Sequence, residues 1–168
     1  ERRHAGLDRW DGAQLDPASS EPVMLLAETR NAQGRAADAV TLLQKAMAST
    51  SASGQKPAET LHKRVVALAY KGKLPTSVAL SREWVADYPT AANWRDALRI
   101  YRNLNTLDDE ASLDVLRLAR ATKALAGDEE FHGYAFTALN RGYPAEAKAV
   151  LEEGFASNAI DRNKQLFK

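Results

Sequence analysis

Arg95, Arg99 and Arg102 follow one another at intervals of four and three residues, so on a helix they form a single stripe of guanidinium groups. Arginine offers a planar fork of N–H donors, and such a stripe suits a carboxylate ligand, either an acidic segment or a chain-terminal carboxylate. The competing outcome is a solvated face whose arginines pair with Asp96, Asp108 or Asp109. Other chemistry is thinner. His62 and His132 stand 70 residues apart with no third donor at a fixed spacing, and His4 lies in an irregular lead-in, so no metal site is expected. The acidic trios Asp108, Asp109, Glu110 and Asp128, Glu129, Glu130 have the composition of acid–base pairs. Each also stands where a helix should begin, and there the macrodipole favours negative charge, so capping is the expected role. Ser19, Ser20, Ser49, Ser51 and Ser53 have no nucleophile-elbow context, and the glycines stand singly rather than in a phosphate-cradling loop. No catalytic residue and no cofactor is assigned.

The elements that must carry the stripe are announced by a recurring spacing. A glycine is followed five residues later by a small residue that opens an apolar helical stripe at Gly34 and Ala39, Gly72 and Ser77, and Gly142 and Ala147. The steps are 38 and 70 residues, the second long enough to hold one more copy. A period near 34 residues marks stacked helix-turn-helix units. Composition agrees: 31 alanines and 20 leucines against two isoleucines and eight valines favour helix over strand. The chain is therefore expected to be all-α.

The balance of 23 basic and 22 acidic residues leaves no strong overall field, which disfavours nucleic acid. With no cysteine there is neither a disulfide framework nor a thiol nucleophile. No run approaches the length of about 18 apolar residues that a membrane span needs. A chain that begins at Glu1 rather than at methionine is expected to be a processed or trimmed piece.

The expected organisation is an irregular lead-in over 1–19, on which Trp10 and Leu15 could dock, and a solenoid over 20–157. The start of a capping helix follows over 158–168. The repeats fall at about 20–48, 57–89, 90–124 and 128–157, with a serine-rich linker over 49–56. Pro22, Pro57, Pro75 and Pro144 are placed at helix starts, where a missing N–H costs nothing. Thr90 and Asp108 are expected N-caps, and Asn105 is expected to replace the missing turn glycine in a left-handed conformation. Trp84, Trp94, Tyr101 and Tyr134 are expected to pack between helices.

These residues resemble the tetratricopeptide repeat family. Trp94, Ala97, Leu98 and Tyr101 fit the first half of its pattern, and Gly72, Ser77, Ser81, Trp84 and Pro89 fit the second half. Gly34, Ala39, Leu43 and Ala46 fit it again, as do Gly142, Ala147 and Leu151. The resemblance implies a right-handed α–α superhelix of about four repeats whose first helices line a concave groove. Carried over to this sequence, that groove is bordered by His62, Tyr70, Arg95, Arg99, Arg102, His132 and Phe136. A carboxylate clamp of the chaperone-adaptor kind would need lysine and asparagine where Met24, Glu28, His62 and Val66 stand. The resemblance thus implies a non-catalytic scaffold that binds another protein or peptide, acidic in character. Alternatives are a carbohydrate-binding or polysaccharide-export scaffold using Trp94 or Tyr101 as a platform, a helical-repeat RNA binder, and self-association through repeat ends. The wording AYKGKL and YPTAANWRDAL is similar to that of exported alphaproteobacterial repeat proteins, which implies a periplasmic location.

Overall fold

In a computed structural model, the structure describes residues 21–161, and the regular elements among them are helices. They are α1 (Glu21–Ala32), α2 (Ala36–Ala52), α3 (Glu59–Lys71), α4 (Ser77–Asp87), α5 (Ala91–Leu104), α6 (Asp109–Ala121), α7 (Gly127–Asn140) and α8 (Pro144–Ala156). Expectations that fall on 1–20 and 162–168, including the lead-in with His4, Trp10 and Leu15, lie outside the described residues. The chain divides after Pro75 into two compact units.

In the first unit α2 packs against both α1 and α3. The α1–α2 turn needs Gly34: its φ is 76°, and the flanking bonds Gly34 N–H to Asn31 O (2.9 Å) and Arg35 N–H to Arg30 O (2.9 Å) close the end of α1. Ala39, Val40, Leu43 and Met47 give α2 a buried stripe at helical spacing, and α3, which packs on α2, buries Leu61, Val65, Val66, Leu68 and Ala69. Helix α2 runs through Ala52, so much of the expected serine-rich linker is helical. Thr50 shows how: its Oγ1 donates to Ala46 O at 3.0 Å, within its own helix.

Gly72 stands at a turn, as its spacing predicts, but for a different reason. Its φ is −76°, and the left-handed residue is the next one, Lys73, at 52°. A Cβ on Gly72 would lie 3.0 Å from Ala36 Cβ and 3.1 Å from Leu68 O, so the close approach to α2 favours glycine there. Pro57 and Pro75 precede the caps Ala58 and Thr76 rather than opening their helices, whereas Pro144 does occupy the first position of α8. A proline disfavours helical geometry in the residue before it, so it marks a helix start from either place.

In the second unit the helices pack consecutively: α4 on α5, α5 on α6, α6 on α7 and α7 on α8. Two N-caps are as the sequence predicts. Thr90 Oγ1 accepts the Asn93 N–H at 3.2 Å, and Asp108 accepts the Ala111 N–H at 2.8 Å. Asn105 departs from expectation, with an extended backbone at φ −125° and ψ 140°. Its side chain instead donates from Nδ2 to Tyr101 O at 2.7 Å, satisfying an orphan carbonyl of α5 without a left-handed residue. The left-handed turn of this stretch falls at Lys123 (φ 57°), which ends α6. Gly142 (φ 82°) makes the tight α7–α8 turn.

After α8 the chain does not enter a capping helix over 158–161. Asn158 is left-handed (φ 56°), and the Ala159 and Ile160 N–H groups donate back to Gly154 O at 3.0 and 3.1 Å. Ile160 is folded into a core made by Leu113, Phe131, Tyr134, Ala135, Ala138, Ala147 and Val150. A second, smaller core holds Leu98, Val115 and Ala124, edged by Trp94, Tyr101, Leu107 and Ala119.

Candidate functional site

The arginine stripe survives in three dimensions. Arg95, Arg99 and Arg102 lie along one wall of a cavity of about 410 Å3, bounded by α5, α6 and α7. Leu98, Val115, Leu116, Ala119, Ala124 and Leu125 supply its apolar lining, and Glu129, Glu130, Gly133 and Thr137 form the opposite wall. The face that α5 presents to the concavity carries these long charged side chains, while α6 and its connection to α7 give it smaller apolar ones.

The charges on these walls are differently engaged. Arg95 Nε donates to Ala124 O at 2.7 Å, so this arginine also ties α5 to the connection between α6 and α7. Arg99 Nη2 donates to Asp96 at 2.7 Å, one of the pairings a solvated face predicts. Arg102 is exposed. From α7, Glu130 accepts the Ala126 N–H at 2.6 Å, satisfying a donor at the start of that helix, while Glu129 is exposed.

The other expected border residues fall elsewhere. His62 is 2% exposed, so it does not border a groove. It sits on the apolar face of α3 beside Leu61, Val65 and Val66, which burial of that face carries inward. Tyr70, also in the first unit, is partly buried. His132 and Phe136 of α7 are both exposed, Phe136 at 59%, and are not in the cavity lining, to which α7 gives the residues one position along, Gly133 and Thr137, together with Glu129 and Glu130. One residue turns a helix by about 100°, enough to move a side chain from the wall to the rim.

Trp94 and Tyr101 do not face the arginine cavity. They line a second cavity of about 540 Å3 between α4, α5 and α6, with Val78, Val85, Ala97 and Leu118. Trp84 and Tyr134 are buried, the packing role expected of them.

A polar cluster that the sequence did not reveal joins α6, α7 and α8. Arg117 forms a fork on Glu146, Nε to Oε1 and Nη2 to Oε2 at 2.9 Å each, and Glu146 Oε1 also accepts the Tyr134 hydroxyl at 2.6 Å. Arg120 grips Glu153, with Nε to Oε2 at 2.9 Å, and Arg141 reaches Glu110 at 2.8 Å. The Arg117 guanidinium also lies 5.0 Å from the centroid of the Tyr143 ring. The hydrogen bonds from Arg117 hold the Glu146 carboxyl below its ordinary range, and those from Arg120 do the same for Glu153. Burial, with the Glu146 carboxylate beside it, pushes the Tyr134 hydroxyl up to about 12. Glu110 thus serves an inter-helix pair as well as the acidic start of α6.

No helix among the described residues is long and apolar enough to cross a membrane, and no group of acidic, histidine or cysteine side chains among them is placed to hold a metal ion. Comparison with protein-family models, with curated proteins and with solved structures finds no match.

Proposed function

We propose that this chain is a non-catalytic interaction module, a right-handed tetratricopeptide-like solenoid that holds a segment of another protein between α5 and α7. The observation that carries the reading is the cavity whose one wall is Arg95, Arg99 and Arg102 over an apolar floor of Leu98, Val115 and Leu116. Extended peptides bind in such grooves through a few placed charges and an apolar floor, and side-chain forks of arginine favour carboxylates.

The test is binding of acidic peptides by Arg99→Ala and Arg102→Ala proteins. Arg95 is unsuitable because its hydrogen bond to Ala124 O has a structural role. Each substitution is expected to weaken binding by about 1 to 3 kcal/mol, and the wild-type affinity to fall with added salt. Unchanged affinity in both variants would remove the groove from the account. A second reading, a carbohydrate scaffold, draws on the cavity edged by Trp94 and Tyr101. It predicts that a soluble oligosaccharide quenches tryptophan fluorescence in the wild type and not in Trp94→Leu.

A further inference from the structure

We infer that the segment held between α5 and α7 is amphoteric, with a carboxylate directed to Arg99 and Arg102 and a basic group directed to Glu129. This rests on the reading of the cavity as a peptide groove, and it replaces a purely acidic ligand with one that carries both charges. The cavity is not uniformly basic: Glu129 and Glu130 of α7 line it as well as the arginines of α5. The charges are also ordered along its length. The bond from Arg95 to Ala124 O sets the early part of α5 beside the connection that leads into α7 at Gly127. Arg95, Glu129 and Glu130 therefore share one end of the groove. Arg102 and Asn103, further along α5, and Thr137, further along α7, mark the other end.

Several of these groups are already engaged. Arg95 is bound to Ala124 O, Glu130 to the Ala126 N–H, and one terminal nitrogen of Arg99 to Asp96. The charges left to face a ligand are Arg102, the remaining N–H groups of Arg99, and Glu129 at the opposite end. An occupant with only carboxylates would satisfy the arginine end and set negative charge against the glutamates. One with only basic groups would meet the converse penalty. From Arg95 to Asn103, and from Glu129 to Thr137, the helices flank the cavity for about 12 Å at 1.5 Å per residue. Extended chain rises about 3.3 Å per residue, so the acid and the base should lie about three residues apart.

The probes are fluorescein-labelled octapeptides of glycine and serine carrying two charged residues three positions apart: Asp with Lys in either order, two Asp, or two Lys. Titrated by fluorescence polarisation against the full chain at low salt, one order of the Asp–Lys peptide is expected to bind about tenfold more tightly than either like-charged peptide. Glu129→Lys should reverse the preference in favour of two Asp, and Arg102→Glu in favour of two Lys. Both positions are exposed, so circular dichroism should match the wild type, and the melting temperature should fall only by the small amount that an unfavourable charge in a terminal helix turn costs. A wild-type chain that binds the two-Asp peptide as tightly as the better Asp–Lys peptide would overturn the amphoteric ligand while leaving the groove standing. Failure of every peptide to bind would overturn the groove and the inference together.

Discussion

The α5–α6 and α7–α8 pairs are built from helices of nearly equal length, yet one is open and the other closed. Between α7 and α8, Ala135, Ala138, Ala147 and Gly154 let the backbones approach, and Phe131, Tyr134 and Val150 fill what remains. The outer edge is bound by the forks of Arg117 on Glu146 and Arg120 on Glu153. Between α5 and α6 the buried set shrinks to Leu98, Val115 and Ala124, and a cavity lies on each side. The contrast follows from side-chain size and charge. Small residues at the α7–α8 seam permit contact, while Trp94, Arg95, Arg99 and Tyr101 hold space around α5. The proposed binding role rests on the pair whose packing is incomplete, where apolar side chains line concave surface on both sides.

The sharpest test of this contrast is a matched pair of truncations. Leu113→Ala, at 0% exposure in the closed core, is expected to cost about 3 to 4 kcal/mol, and Leu98→Ala, at 8% exposure between two cavities, about 2 kcal/mol. Urea denaturation measures both, and equal losses would erase the distinction. A smaller effect is expected from Gly154→Ala. Its Cβ would fall 2.8 Å from Ile160 Cγ1 and 3.0 Å from Phe131 Cδ1, so overpacking should cost about 1 to 2 kcal/mol. The melting temperature would then drop, whereas an unchanged or higher one would mean the α7–α8 seam is looser than its contacts imply.

The smallest effect is acid sensitivity at the outer edge of the closed pair. Glu146 and Glu153 ionise at lower pH in the folded chain than the usual value of about 4.3 in an unfolded one. Their pairs therefore contribute fully above that pH and lose their contribution as pH falls through the lowered folded values. Thermal melts between pH 5 and 3 should show declining stability, with a shallower decline in Glu146→Gln. Since these pairs lie near the surface, the change should be modest and should weaken with salt.

The helices were legible because their punctuation is local. Gly34 and Gly142 adopt the left-handed turns that their spacing predicts, and Ala39 and Ala147, five residues later, are buried. The stripe of Arg95, Arg99 and Arg102 was legible for the same reason: a helix fixes which of its own residues share a face. How a helix is rotated against its neighbours is not local, and there the reading slipped. His62 belongs to a buried face, and Gly133 and Thr137 took the places expected of His132 and Phe136. Glu129 and Glu130 were visible only as helix-start acids, since nothing in sequence spacing sets them opposite α5. The Arg117–Glu146 fork joins residues 29 positions apart, which no local pattern encodes. At Asn105 a side-chain bond replaced the expected backbone conformation, an alternative that composition does not distinguish.

Leu98 and Val115 line both the arginine cavity and the aromatic one, so the wall between the two grooves includes the same pair of side chains seen from either side. Any occupant that shifts Leu98 or Val115 on one face alters the room available on the other. By thermodynamic reciprocity, a ligand in either groove must then change the affinity of the other by the same factor. Two chemically unlike surfaces of this helix pair thus share Leu98 and Val115 as their common wall.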